Sequence, residues 1–236
     1  MSRTSASTIF PCETCEVRDK AICAALNDDE LRQLNAIATA VKVRTGGTVF
    51  YEGDDSTYLF NVVTGALRLT KLLPDGRRQV TGFLFPGDFL GLAVTEVYAY
   101  SAVALSDTSL CRFARTSLTA IMERFPKLEH RLLGLASNEL AQAQEQLMIL
   151  GRKTAAERVA TVLLSLAKRI GRPVTGGRVL DLPMTRQDIG DYSGLSTETV
   201  SRIISRLRQD GLIKTPNPTT VHIPETEALV DLSGDV

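Results

Sequence analysis

Four cysteines stand out as residues able to do chemistry: Cys12, Cys15, Cys23 and Cys111. The first three follow a C-x2-C-x7-C spacing near the start of the chain, and the fourth lies in the apolar run Leu110-Cys-Arg-Phe113. Thiolates are strong soft ligands for iron and zinc, and four of them complete either a [4Fe–4S] cubane or a tetrahedral zinc site. Each piece alone has a plainer reading. Cys12 and Cys15 suit half of a zinc knuckle or a redox pair, and Cys111 alone suits a small buried hydrophobe. Zinc sites usually pair two short-spaced knuckles, and Cys23 with Cys111 forms no second one. A loop-borne triad plus one distant thiol would tie the N-terminal segment to the domain that carries Cys111.

A second constellation lies near the other end. Thr185-Arg-Gln-Asp188 resembles a capping box and opens a helix through Ile189 and Tyr192. Ser193-Gly-Leu195 supplies a tight turn, and Ser196 or Thr197 then caps a second helix running to about Gln209. Two helices joined by a short glycine-containing turn form a helix-turn-helix. Val200, Ile203, Ile204 and Leu207 follow i, i+3, i+4, i+7 and must face a core. That leaves Thr197, Glu198, Ser201, Arg202 and Arg208 facing outward. N-terminal residues of such a helix reach base edges in the major groove of double-stranded DNA. Arg202 can present two donors to guanine, and Glu198 can accept from cytosine N4. The plainer reading of Glu198 and Arg202 is an i,i+4 surface ion pair.

The elements that must position these groups follow from periodicity. Residues 1–26 show little hydrophobic pattern and form a cysteine segment. Asn27-Asp-Asp-Glu30 caps a short helix through about Ala40, and Val41–Phe113 then breaks into β-branched and aromatic runs. Turn signals at Thr45-Gly-Gly47, Glu52-Gly-Asp54, Thr64-Gly65, Pro74-Asp-Gly76, Pro86-Gly-Asp88 and Ser106-Asp107 predict an antiparallel sandwich or barrel. Thr116–Phe125 reads as a helix stopped by Pro126, and Lys127–Leu150 as one long helix with a leucine stripe. A stripe of this length between two domains predicts a homodimer seam through Leu132, Leu140 and Leu147. Thr154–Ile170 is a further helix, Gly171–Gly177 a linker, and Ile213–Ile223 a short hairpin. The expectation is an α+β chain with four parts: 1–26 cysteine segment, 27–125 sensor domain, 126–150 dimerisation helix, 151–236 winged helix-turn-helix.

Composition narrows the function classes. The formal net charge is zero, yet residues 151–223 hold 12 Lys/Arg against 6 Asp/Glu, leaving 15 against 21 for the rest. Only the C-terminal part suits a polyanion. The longest stretch without a charged residue is the twelve residues Ser56–Leu67, against the roughly 17–25 needed to cross a bilayer, so no membrane partner is expected. Residues 1–11 lack the apolar run of a signal peptide, which predicts a cytoplasmic protein with reduced thiols. The two histidines, His130 and His222, lie outside the strand-rich region, and no Ser-His-Asp set, P-loop or dinucleotide fingerprint occurs. An enzyme is not expected.

The segment from Thr185 to Arg202 strongly resembles the helix-turn-helix of the CRP/FNR regulator superfamily, and Glu198-x-x-Ser201-Arg202 resembles its FNR branch. The resemblance covers nearly the whole chain: β-roll, long helix and winged helix-turn-helix. Pro86-Gly-Asp-Phe-Leu-Gly91 looks like the loop typical of that roll. The family implies inverted-repeat operators, dimeric binding and contact with RNA polymerase, and the FNR branch implies a half-site similar to TTGAT. Its cyclic-nucleotide binders continue the loop with Glu and later an Arg-Ser or Arg-Thr pair. Here Leu92 and Tyr100-Ser101 stand in those places, so a bound phosphate would lack its cation and cyclic AMP is disfavoured. The FNR branch carries an N-terminal cysteine cluster plus one distant cysteine, which implies a [4Fe–4S] cluster on Cys12, Cys15, Cys23 and Cys111. The x7 spacing resembles alphaproteobacterial members. The implied mechanism is a dimerisation switch, on at low oxygen and lost when oxygen attacks the cluster. Leu140-Ala-Gln-Ala-Gln-Glu145 holds one carboxylate where relatives use like-charge repulsion, which implies readier dimerisation of the metal-free chain. The alternatives left by the residues are structural zinc, or a response to haem, nitric oxide or a small metabolite.

Overall fold

A computed structural model describes residues 12–92 and 96–234. Residues 1–11 of the expected cysteine segment lie outside the described residues. The chain divides into two compact units, Met1–Lys71 with Thr81–Ala141 and Leu72–Val80 with Gln142–Val236.

The first unit begins with two short 3-10 helices, Cys12–Thr14 and Ile22–Ala25. Helix α1 (Asp28–Ile37) follows. Asn27 Oδ1 accepts from the Glu30 amide, and the Glu30 carboxylate accepts from the Asn27 amide, which satisfies two otherwise orphaned donors. Expected to run to Ala40, the helix ends at Ile37, because Ala38 already has extended backbone and starts β1 (Ala38–Val43). The next strands are β2 (Thr48–Phe50), β3 (Tyr58–Thr64), β4 (Leu67–Leu72), β5 (Arg78–Leu84), β6 (Phe89–Leu90), β7 (Ser101–Ala104) and β8 (Thr108–Ala114). They form two antiparallel sheets in the orders β1-β8-β3-β6 and β2-β7-β4-β5. Val62, Leu67, Ala102 and Leu110 are fully buried between them.

Strand alternation sends Leu110 into that core and Cys111 and Phe113 to the other face. There α1 and α2 (Arg115–Arg124) cover them, with Ile22, Leu31, Leu34, Leu118 and Leu128 making a second core. Pro126 was expected to stop a helix; it also opens α3 (Pro126–Arg152). Proline has no N–H to lose in a first helical turn, so it marks a start as readily as an end.

The second unit holds α4 (Ala155–Ile170), β9 (Arg172–Val174), β10 (Gly177–Asp181), α5 (Arg186–Ser193), α6 (Thr197–Gln209), β11 (Lys214–Asn217), β12 (Thr220–Ile223) and α7 (Thr226–Ser233). Its sheet runs β11-β12-β10-β9. Gly171–Gly177 is therefore not a bare linker. Arg172–Val174 pairs with β10 as a hairpin. Helix α7, absent from the sequence expectation, packs on α4 with Leu229 fully buried.

Candidate cysteine centre and nucleic-acid interface

The four cysteines converge on one side of the roll. β8 presents Cys111 opposite Ala40 on β1 and Asn61 on β3. Cys12, Cys23 and Cys111 pack on the core that holds Ile22, and Cys15, Cys23 and Cys111 pack on a patch of Val17, Ala21 and Val63. All four are free, half-buried thiols. Cys12 Sγ donates to Asn35 Oδ1 of α1 at 3.1 Å, and Cys23 Sγ to the Arg18 carbonyl at 3.9 Å. The Arg18 guanidinium closes the loop onto Asp28 (2.9 Å) and the Leu26 carbonyl (3.5 Å).

Their protonation reports the convergence. Burial first, then Cys12 and Cys15, push the Cys23 thiol up to about 11. Burial first, then all three other cysteines, push Cys111 up to about 12. Burial and Cys15 also raise Cys12, against a lowering by Arg18. Thiols crowded this way stay protonated at neutral pH, since each further thiolate adds to an unbalanced negative charge. Among the described residues, no three His, Cys, Asp or Glu side chains stand at the spacing of a single-ion shell. Asn61, buried beside Cys111, spends its amide nitrogen on the Val62 carbonyl, while its Oδ1 has no partner among the described residues.

The cysteine loop is seated on the roll at Gly87. That residue has φ of +100°, and a Cβ there would lie 2.7 Å from Lys20 Cβ. Only glycine combines this backbone with so close an approach.

The helix-turn-helix forms as expected. Thr185 caps α5 with a full capping box, using Asp188. Asp188 is fully buried and accepts from the Thr185 amide, the Thr185 hydroxyl and Arg78 Nη2. Gly194 takes the left-handed conformation (φ 68°) that turns the chain. Ser196, not Thr197, caps α6, accepting from the Thr199 amide at 3.1 Å. Val200, Ile204 and Leu207 are buried, Ile203 is half-buried, and Thr197, Glu198, Ser201, Arg202 and Arg208 are exposed on the outer face. Ser201 donates to the Thr197 carbonyl, and Glu198 pairs with Arg202 at 3.8 Å. With side chains 78% and 70% exposed, that pair holds by only about 0.2–0.5 kcal/mol.

One arginine escaped the sequence reading. Arg186, the first residue of α5, shares a concave surface with Ser201, Ser205, Arg208, Thr215 and Asn217. It donates to the Pro218 carbonyl in the β11–β12 turn, and its buried Nη1 has no partner among the described residues. Burial lowers its pKa from the ordinary arginine value. Its place beside a helix cap was the available signal.

Helix α3 separates the leucines of the stripe. Leu132 packs on the second core of the roll. Leu140 and Leu147 are exposed, and it is Leu133 that shares their exposure, at 63%, 61% and 70% for Leu133, Leu140 and Leu147. No described helix is long and apolar enough to cross a membrane.

Comparison with known proteins agrees with both halves. Residues 40–125 match the cyclic nucleotide-binding domain family, and residues 157–232 the Crp-like helix-turn-helix domain family. The nitrogen fixation regulation protein FixK of Bradyrhizobium diazoefficiens is 42% identical over 86% of this chain and 85% of its own length. The transcriptional activator protein FnrL of Cereibacter sphaeroides is 37% identical over 95% of this chain and 92% of its own. The structure of FixK2 from Bradyrhizobium japonicum superposes with a TM-score of 0.79 at 37% identity, covering 85% of this chain and 99% of that one. The roll, the turn held by Gly194 and these likenesses place one conclusion beyond the fold: the chain belongs to the CRP/FNR superfamily of DNA-binding transcription regulators, in its FNR-like branch.

Proposed function

We propose that this protein is a cytoplasmic, oxygen-responsive transcription regulator whose Cys12, Cys15, Cys23 and Cys111 hold a [4Fe–4S] cluster. The observation that carries the reading is the convergence of all four thiols on one apolar site, where burial first and then neighbouring cysteines raise the pKa of Cys12, Cys23 and Cys111. The donor set suits the group: four soft sulfurs, no competing carboxylate shell among the described residues, and a need for positive charge before they deprotonate together. When bound, the cluster supplies that charge through iron–sulfur bonds that oxygen destroys. The chain's residues do the rest. Asn35 and Arg18 hold the loop against α1, and Gly87 seats it on the roll. Cyclic nucleotide is disfavoured because Leu92 packs with the apolar core and Tyr100 stands where a phosphate-binding arginine would be needed.

Regulators of this family bind DNA as dimers. The dimer seam here is the exposed row Leu133, Leu140 and Leu147, spaced by seven, with Ala136 and Ala143 three residues after the first two. That is an a/d pattern, and small alanines at d let two helices approach closely. Paired recognition helices would then read an inverted repeat with TTGAT-like half-sites, Glu198 and Arg202 contacting bases and Arg186 and Arg208 the backbone. RNA polymerase is the expected protein partner on DNA.

Anaerobic purification tests the sensor. Brown protein with broad visible absorption and roughly four iron and four sulfide per chain is expected. Cys111→Ser should lose most of both. Colourless protein containing zinc, sharp haem bands, or normal iron and sulfide in Cys111→Ser would overturn the assignment.

A further inference from the structure

We propose that Arg131 is the positioning residue through which the arrangement of the cysteine loop reaches the long helix. The inference rests on the cluster reading above. Arg131 Nη2 donates to the Lys20 carbonyl at 2.8 Å, and Nε to the Ala21 carbonyl at 3.5 Å. Lys20 and Ala21 lie between Cys15 and Cys23, so the guanidinium grips the backbone of the very loop that carries three of the thiols. The loop is compact there. The amides of Lys20 and Ala21 both donate to the Val17 carbonyl, and Ala21 and Ile22 are buried. A shift of Cys15 or Cys23 therefore moves the two carbonyls as a unit.

The same side of α3 also carries apolar contacts. Leu128, Leu132 and Leu135, with Arg131 among them at helical spacing, pack on the core shared by Ile22, Cys23 and Cys111. Lys127 adds an ion pair to Glu30 at 2.5 Å. Apolar contacts are non-directional and tolerate small rotations of a helix about its axis. A guanidinium fork on two carbonyls does not; it is directional and charge-assisted. Arg131 thus fixes the rotation of α3 relative to the loop, and two residues on, Leu133 opens the exposed row. A bond made in only one loop arrangement is the differential contact that a two-state switch requires.

The test uses the iron-loaded protein under nitrogen and the same protein after exposure to air. Arg131→Ala should keep wild-type iron, sulfide and visible absorption, because no thiol is touched. Tryptic cleavage at Lys20–Ala21 in the loaded protein should rise about tenfold once the carbonyl clamp is gone. The ratio of dimer dissociation constants between air-exposed and loaded protein, from sedimentation, should shrink about fivefold or more. Arg131→Lys, a cation without the fork, should restore part of both. Wild-type cleavage and a wild-type ratio in Arg131→Ala would overturn the proposal. So would loss of iron in Arg131→Ala with iron retained in the wild type, since Arg131 would then support the ligands themselves. Wild-type protein without iron would instead overturn the cluster reading, and this inference with it.

Discussion

The cysteine centre and the recognition helix are assembled on opposite terms. The centre gathers residues from Cys12 to Cys111, half-buries them, and raises the pKa of Cys23 and Cys111 to about 11 and about 12. The recognition helix keeps its outward residues between Thr197 and Arg208 on one solvated face, over a buried side of Val200, Ile204 and Leu207. A buried centre responds to a change in its own charge, whereas an exposed face presents a fixed pattern to a partner. A sensor needs the first property and a reader needs the second.

The contrast is sharpest if the two regions can be uncoupled. Leu140→Glu should do so by burying an unpaired charge at the dimer seam, at a cost of about 3–5 kcal/mol. The expected outcome is a monomer by sedimentation with wild-type iron content and little affinity for a palindrome. A persistent dimer would move the seam off the exposed row of α3. Within the reading face, Arg202→Ala should cost about 1–3 kcal/mol at one G·C pair and relax base preference there. If all operators weaken equally, Arg202 is a phosphate contact. Arg208→Ala is the opposite case. It should lower the slope of log affinity against log salt by about 1 and leave the ranking of operators unchanged.

A separate effect belongs to the metal-free chain. The thiols of Cys23 and Cys111 are raised in the folded chain from an ordinary 9.0 to about 11 and about 12. The fold therefore favours their protonated form, and the stability this contributes is full below pH 9. It is lost as pH rises through the folded values. The urea midpoint of metal-free protein should fall between pH 9 and 11, and Cys23→Ala or Cys111→Ala should flatten that fall. An unchanged slope would mean the two thiols sit in water.

The same contrast governs what the sequence discloses. The recognition helix is local: its buried stripe, its cap and the glycine turn all fall within some twenty residues, and each can be read without knowing the rest of the chain. The roll announces its turns, which recur at Gly46, Gly53, Gly65, Gly76 and Gly87 with positive φ. The cysteines declare a ligand set by number and spacing, but the facing of Cys111 by Asn61 depends on strand register across fifty residues. Arg131 was unreadable for the same reason, since its partners are backbone carbonyls more than a hundred residues away. Local signals also misled. Gly171-Arg-Pro-Val-Thr-Gly-Gly177 has the composition of a loop, yet holds the edge strand of a hairpin, where proline is tolerated. Helix α7 begins at Thr226 after Glu225, which makes no side-chain cap, so nothing at its start marked a helix.

The seat at Gly87 also limits where the cysteine segment can be moved. The cysteine segment lies against a turn where the intruding atom would be a main-chain-proximal carbon of Lys20, which no rotamer can swing aside. A single methyl group at position 87 would leave the strands of the roll in place and still deny the segment its berth. Transplanting the segment onto another roll therefore requires this glycine as part of the graft.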